Sequence, residues 1–141
     1  MRSTLLALLL ALAPCAPAWA AGVRVEVDGI EPGGGDVYVT LCQGGLTEAS
    51  CARGRKLGGT APGLSVIFDD VAPGTYAVAA FQDENGNGVV DRTGLGLPVE
   101  PYGLTEGAGR RARPSFAEAA FFLVEPGAAV RVRLIRALQR R

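Results

Sequence analysis

The sequence predicts an all-β fold: a small antiparallel β-sandwich of six or seven strands with one long acidic loop rich in glycine and proline. Apolar and polar residues alternate with a period of two in several short segments, which is typical of strands with one buried face. Glycine- and proline-rich turns separate these segments. No amphipathic helix of useful length follows residue 20, so the pattern fits a β-sandwich.

The first half of the chain has the clearest strand patterns. The segments "GVRVEVDGI" and "DVYVTLC" both alternate, and the turn "EPGGGD" lies between them. We expect these two strands to pair as a β-hairpin. A short strand is expected near residues 53–57. "LSVIFDDV" and "TYAVAAFQ" predict two more strands joined by "APG", because Pro73 fixes φ and Gly74 permits positive φ. Their nearly continuous apolar character predicts that both are covered on both faces.

The second half has weaker patterns. Residues 83–114 carry no strand pattern, and loops of this length are often functional or disordered. The segment "SFAEAAFFLV" is compatible with helix and with strand, and we expect a strand from about Ala119 after a turn. "VRVRLI" predicts a final strand with Val130, Val132 and Leu134 facing inward.

The first 20 residues predict a secretory signal peptide. Arg2 precedes an apolar run, and the small-residue sequence "AWA" ends at Ala20, after which we expect cleavage. The run is shorter than the roughly 20 residues that cross a bilayer. We therefore predict one mature domain, residues 21–141, that is periplasmic or secreted and has no transmembrane segment. A lipid anchor on Cys15 is a less favoured alternative, because Pro14 fits a lipoprotein signal poorly.

Cysteine content predicts one disulfide in the mature domain. Once Cys15 is removed, Cys42 and Cys51 are the only thiols. An exported domain most simply joins them, which stabilises the fold by about 2–3 kcal/mol in the chain-entropy treatment. A metal-binding or redox pair is the alternative. It is weaker because the spacing is not Cys-x-x-Cys and the chain has no histidine.

Composition excludes several classes of function. The chain has 14 basic and 14 acidic residues, so it lacks the basic surplus of nucleic-acid binders. Its late arginine clusters, "GRRARP" and "RVRLIRALQRR", are interpreted as solvated surface, with contact to an anionic surface as the alternative. The absence of histidine excludes Ser-His-Asp and Cys-His triads. We expect a protein that is not an enzyme.

The stretch "FQDENGNGVVDRTGLG" predicts a calcium-binding loop. Its acids and amides follow the first three-quarters of an EF-hand-type loop, in which alternating oxygens surround a hard cation. The predicted ligands are Asp83, Asn85, Asn87, the Val89 carbonyl and Asp91. Gly94 stands where a bidentate acid should complete the shell, so affinity should be near ~10⁻⁴–10⁻³ M. The alternative is a structural loop of Asx-turns that needs no ion.

The segment "GLPVEPYGL" follows this loop and suggests a binding rim. Pro98 and Pro101 stiffen the backbone and favour extended conformations at the residues before them. Glu100 and Tyr102 could then form a rigid rim for a small polar ligand. The favoured interpretation is that Tyr102 packs the long loop against the sandwich with its hydroxyl satisfied locally.

These motifs occur together in a known order. The chain has a "PGTYA" turn, the "DENGNGVVD" loop, "GLPVEPYGLT" and then "PSFAEAAF". In this it resembles the domain-of-unknown-function 2141 family of exported bacterial proteins. Gln82 stands where that family often has His, and Thr105 where Ser is frequent. The resemblance implies a sandwich similar to the transthyretin-like and carboxypeptidase-regulatory-like folds, which are mostly accessory or binding modules.

Three functional hypotheses follow. The first is a non-enzymatic exported module whose 83–91 loop is stabilised by calcium or by its own hydrogen bonds. The second is an accessory domain that binds carbohydrate, peptide or an envelope protein through the loop and the Tyr102 rim. The third, a carboxylate-pair hydrolase, has the least support, because no pattern places two carboxylates across a cleft.

Overall fold

The computed structural model describes residues 21–110 and 113–138 and confirms an all-β sandwich. Within these residues eight strands form two sheets, one strand more than the sequence predicts. The predicted signal peptide, residues 1–20 with Cys15, lies outside the described residues. The strands are β1 (Ala21–Asp28), β2 (Asp36–Gln43), β3 (Arg53–Gly58), β4 (Gly63–Val71), β5 (Gly74–Asp83), β6 (Tyr102–Leu104), β7 (Phe121–Leu123) and β8 (Gly127–Arg133).

The two sheets differ in size and in strand direction. The first sheet has the order β4-β1-β8. The second has the order β3-β2-β5-β6, and β7 also pairs with β5. All the strand pairs are antiparallel except β1 with β8, which run parallel. The antiparallel prediction is therefore correct for every pair but this one.

The main core lies between the sheets and follows from the alternation in the sequence. Val23, Val25 and Val27 of β1 are fully buried, as are Val37 and Val39 of β2. They form one cluster with inward residues of β4, β5 and β8. Burying one such side chain stabilises the fold by roughly 1.5–3 kcal/mol. The predicted period of two therefore identifies the buried faces of these strands correctly.

The covered outer face belongs to β5 and not to β4. Strand β5 packs Val78 into the main core, and on its other face Ala77 joins a second cluster with Leu104 and Ala119. Double coverage is thus confirmed for β5. Strand β4 is an edge strand, and Ile67 on its outer face is 44% exposed. The same prediction is wrong for β4, because a nearly continuous apolar run does not reveal whether a layer covers it.

The predicted β1–β2 hairpin is wrong, since these strands belong to different sheets. The glycine-rich connection carries the chain from one sheet to the other. It runs beside the β3–β4 connection, and the two are joined by hydrogen bonds from Ile30 N to Pro62 O and from Gly33 N to Gly59 O. The β1–β2 and β3–β4 connections both cross between the sheets, and each satisfies backbone N–H or C=O groups of the other.

The ambiguous segment near residue 119 contains both kinds of structure. A four-residue helix, α1 (Phe116–Ala119), begins where the Ser115 hydroxyl accepts a hydrogen bond from Glu118 N. Strand β7 then starts at Phe121. A strand is therefore present slightly later than expected, and a helical turn precedes it.

The end of β8 joins the two sheets beside the long loop. Tyr102 and Ile135 exchange two backbone hydrogen bonds of 3.0 and 2.9 Å. Next to this bridge a Cβ on Gly103 would lie 2.3 Å from Arg133 O, so only glycine allows these two backbone segments to approach so closely. The residues after β8 are thereby placed against β6. No helix in the described ranges has the length and apolarity to span a membrane.

Candidate functional site

The acidic loop begins at the end of β5, where a buried glutamine holds the strand in place. Gln82 is fully buried, and its amide accepts from Glu31 N at 2.9 Å and donates to Glu31 O at 2.8 Å and Gly35 O at 3.3 Å. Gly35 is required here because a Cβ would lie 1.9 Å from Asp83 O. The neutral Gln82 amide pairs with backbone N–H and C=O groups at the same time, and this fixes the position of Asp83, the next residue.

Asp83 organises the first half of the loop. Its side chain is in a residue only 2% exposed, and the carboxylate accepts three backbone hydrogen bonds. Oδ1 accepts from Gly86 N at 2.8 Å and from Asn87 N at 3.2 Å, and Oδ2 accepts from Gly88 N at 2.7 Å. Gly86 and Gly88 have φ of +75° and +78°, which glycine adopts without strain. Three charge-assisted bonds compensate the burial of this carboxylate.

The remaining polar side chains of the loop gather around Asp91. The Asn85 and Asn87 amide groups both donate to the Asp91 carboxylate, at 2.5 Å and 3.1 Å. Their oxygens accept from backbone groups, Asn85 Oδ1 from Asn87 N and Asn87 Oδ1 from Val89 N. Asp83, Asn85, Asn87 and Asp91 therefore lie in one compact coil, in which the amide nitrogens and not the amide oxygens face Asp91. The Val89 side chain is exposed.

Glu100 joins the two ends of the loop through hydrogen bonds. It is 3% exposed, and its two oxygens accept from Glu84 N at 2.9 Å and Asp91 N at 3.1 Å. This places the carboxylate under both ends of the loop and not on an outer rim. Sequence reasoning did not find this bridging role, although the stiff "PVEP" segment was a signal for a residue held in place.

The acidic side chains alone do not form a metal cluster. In the described part of the chain, no group of three or more Asp, Glu, Cys or His side chains is arranged to hold a metal ion. Any cation at this loop would therefore depend on the amide oxygens of Asn85 and Asn87 together with carboxylate oxygens. This donor set suits a hard cation such as calcium and not zinc.

Tyr102 stands in the wall between two adjoining cavities. Its hydroxyl donates to Gly109 O at 2.8 Å, which fixes the ring. One cavity, here the arginine cleft, has a volume of about 590 Å³ and is lined by Arg92, Arg110, Arg113 and Arg136 among others. The other, the apolar hollow, has a volume of about 260 Å³ and includes Leu46, Ala79, Val90 and Leu104. Arg92, Pro98, Tyr102 and Pro114 line both.

The sequence predicts that Arg136 belongs to a solvated cluster, but its side chain is only 15% exposed. It forms ion pairs with Glu31, at 2.7 Å, and with Glu84. Hydrogen bonds to Glu31 and then to Glu84 raise the pKa of the Arg136 guanidinium. The bridge between Tyr102 and Ile135 is what carries this arginine to the loop, and no local sequence pattern indicates that contact.

The predicted disulfide is present. Cys42 of β2 is bonded to Cys51, nine residues later, across a loop that ends in a short 3-10 turn at Ala49–Cys51. Cys42 is fully buried in the second cluster, where Leu46 and Cys51 pack against it. The crosslink therefore anchors the loop that carries Leu46 into the wall of the apolar hollow.

Comparison with known proteins identifies a family. No curated protein and no solved structure matches the chain. Residues 25–131 match the family described as "Uncharacterized protein conserved in bacteria (DUF2141)". The matched region extends from β1 to β8 and includes the acidic loop, Glu100, Tyr102 and both cysteines. The chain therefore belongs to the DUF2141 family, as its motifs predict.

Proposed function

We propose that this protein is an exported, non-enzymatic β-sandwich module whose 83–91 loop binds calcium. The observation that carries the proposal is the convergence of Asn85, Asn87 and Asp91 at one point of a coil whose backbone is already held by Asp83. Preorganisation of this kind reduces the entropy lost when an ion binds.

The electrostatics of Asp91 favour a cation at this point. Two neutral amide N–H groups now face its carboxylate. A divalent cation is a stronger partner for that carboxylate, and each amide oxygen, which accepts one backbone N–H, has a second lone pair that could ligate the same ion. Asp83 and Glu100 would support the loop backbone and need not change partners. The competing hypothesis is that the hydrogen bonds already present are the whole purpose of the loop.

The non-enzymatic character is supported by how the loop uses its carboxylates. Both oxygens of Asp83 and both oxygens of Glu100 accept backbone N–H groups. A general acid or base needs a free oxygen within reach of substrate, and these side chains offer none. The disulfide supports export, because such bonds persist in oxidising compartments.

A second candidate is an accessory domain that recognises carbohydrate or peptide near Tyr102. The position of the Tyr102 ring in the wall of two cavities favours it. Exposed aromatic surfaces beside polar loops are common in binding sites. This candidate and calcium binding are compatible, since the ion would stabilise a loop next to the cavities.

Thermal unfolding with and without calcium tests the proposal. At about 10 mM calcium, a dissociation constant of ~10⁻⁴–10⁻³ M gives about 1.4–2.7 kcal/mol of stabilisation, and Tm rises by several degrees. Asp91→Asn removes one charge and keeps the shape of the side chain, so it should abolish most of that rise. Asp69→Asn, an exposed acid on β4, is the matched control and should keep the full rise.

The readout is the change in Tm that calcium causes in each variant, so differences in basal stability do not matter. Magnesium should cause a much smaller rise, because it demands a tighter octahedral shell. An unchanged Tm for the unmutated protein at saturating calcium would contradict calcium binding and leave the structural loop as the remaining hypothesis.

A further inference from the structure

We propose that the arginine cleft and the apolar hollow together bind a small amphiphilic anion, with a phosphate or carboxylate head in the cleft and a short apolar tail in the hollow. The proposal goes beyond the calcium hypothesis and does not rest on it, because neither cavity uses Asp83, Asn85, Asn87 or Asp91.

The charge of the cleft favours an anion. Four arginines line it, and among the described residues no Asp or Glu does. Arg92, Arg110 and Arg113 are exposed at the cleft, and their like charges repel one another, so an anion bound among them would relieve that repulsion. A cleft of about 590 Å³ is within the usual range for small-molecule sites, about 300–1,000 Å³.

The four arginines have different roles. Arg136 is already engaged with Glu31 and Glu84, and we assign it to the wall of the cleft. Arg92 donates one hydrogen bond to Gly96 O at 3.0 Å, which leaves its other guanidinium N–H groups able to bind an anion. Arg110 and Arg113 are exposed, and within the described residues neither forms a salt bridge. Arg110 and Arg113 are therefore the principal contacts for an anionic head, which guanidinium groups bind through paired N–H donors.

The apolar hollow explains why the ligand should carry a tail. Its walls are largely aliphatic, and it opens beside the cleft across the shared residues Tyr102 and Pro98. Leu104 is nearly fully buried, and Ala79 packs with it in the second cluster. An apolar group placed against these side chains gains about 25 cal/mol per Å² of surface removed from water. A simple inorganic anion would leave this hollow without a function.

The rigidity of the shared wall supports a preformed site. The Tyr102 ring is fixed at its hydroxyl by Gly109 O and at its backbone by Ile135. The disulfide anchors the loop that brings Leu46 to the hollow. Two stiffened walls meet at the point where the head and tail of the ligand would join, so little ordering should accompany binding.

Titration with octyl phosphate, below its micelle concentration, tests the proposal by calorimetry and by amide chemical shifts. We expect binding with the largest shifts at Gly96, Tyr102 and Gly109, and weaker binding by inorganic phosphate and by octanol. The double variant Arg110→Gln/Arg113→Gln should weaken octyl phosphate binding at least about tenfold. Added salt should weaken binding by the unmutated protein, because the contacts are partly exposed.

Matched variants separate the two halves of the site. Arg24→Gln/Arg131→Gln removes the same charge from the exposed outer face of the first sheet, and affinity should stay within about twofold. Leu46→Ser should weaken octyl phosphate binding but leave inorganic phosphate unaffected, which also shows that the variant is folded. Failure of octyl phosphate to bind, or equal binding by the Arg110/Arg113 double variant, overturns the proposal.

A final pair of measurements distinguishes the source of the ligand. The same chemistry occurs in free amphiphiles and in lipid headgroups. Co-sedimentation with phosphatidylglycerol vesicles that depends on Arg110 and Arg113, and is absent with phosphatidylcholine vesicles, assigns the head to a membrane lipid. Octyl phosphate binding without co-sedimentation assigns a free amphiphile. Both outcomes support the proposed chemistry, and neither depends on the result of the calcium experiment.

Discussion

The acidic loop and the arginine cleft adjoin each other between Asp91 and Arg92, yet they satisfy their polar groups in different ways. In the loop, hydrogen bonds within residues 83–100 engage all of its principal side chains. In the cleft, the arginines come from several separate segments, and three of them, Arg92, Arg110 and Arg113, form no salt bridge in the described part of the chain.

The difference separates stability from binding. A buried carboxylate must be compensated at once, so Asp83 and Glu100 have backbone donors. Water solvates exposed guanidinium groups, so the fold loses little stability when Arg110 and Arg113 have no ligand. We therefore expect substitutions of the buried carboxylates of the loop to change mainly stability and substitutions of the exposed arginines of the cleft to change mainly affinity.

The largest expected effect on stability is that of Asp83→Ala. It removes the acceptor for three backbone N–H groups, and the free energy of unfolding without calcium should fall by about 3 kcal/mol. Urea denaturation measures the change. Asp69→Ala on β4 is the control and should change stability by less than about 0.5 kcal/mol. A loss below about 1 kcal/mol for Asp83→Ala would mean that water replaces the carboxylate.

An intermediate effect is expected for Thr105→Val, at the residue that follows Leu104 of the apolar hollow. The buried Thr105 hydroxyl accepts from Val78 N at 3.1 Å and donates to Ala119 O. Valine keeps the shape but leaves both backbone groups without a partner, so the protein should lose about 2 kcal/mol. Denaturation with urea is again the measurement. Thr75→Val, at a half-buried position of strand β5, should be nearly neutral.

The same variant also asks whether the two regions are independent. Thr105→Val should leave the calcium-induced rise in Tm unchanged, because distant sites with no shared partners usually act additively. A reduced rise would show that the hydrogen bonds of Thr105 and the loop are energetically coupled.

The smallest effect is expected for Asn85→Ala. The Asn85 side chain is exposed, so water can replace its bonds to Asp91 and to Asn87 N, and stability without calcium should fall by less than about 1 kcal/mol. Chemical denaturation with a chelator present measures this. A loss above about 2 kcal/mol would place Asn85 beside Asp83 as a structural residue of the loop.

Much of the strand content could be predicted because a buried face leaves a local record. The period of two in "GVRVEVD" identifies Val23, Val25 and Val27 as inward residues before any neighbour is known. The alternation does not indicate which strand pairs with which, and for this reason the β1–β2 hairpin prediction is wrong. Strand β6 was missed for a related reason: three residues, Tyr102–Leu104, are too few to show a period.

The loop and the cleft differ in the same respect. Alternating acids and amides with glycine at fixed spacing predict that Asp83, Asn85, Asn87 and Asp91 lie close together, because a short coil leaves them little freedom. Glu100 was expected nearby but on a rim, since only packing decides which side of the loop a stiff segment takes. The role of Arg136 had no local signal, because its partners Glu31 and Glu84 are far from it in the chain.

The sequence by itself determined the all-β class, the inward faces of the long strands, the disulfide pair and the local coil of the acidic loop. The strand faces and the coil depend on residues within a few positions of one another, which short-range sterics and hydrogen bonding restrict strongly. The disulfide pair follows from the cysteine count, because Cys42 and Cys51 are the two cysteines after residue 20. Only the tertiary structure decided the strand order, the parallel pairing of β1 with β8 and the assembly of the arginine cleft. Those features join distant segments, and many alternative pairings would bury the same apolar faces equally well.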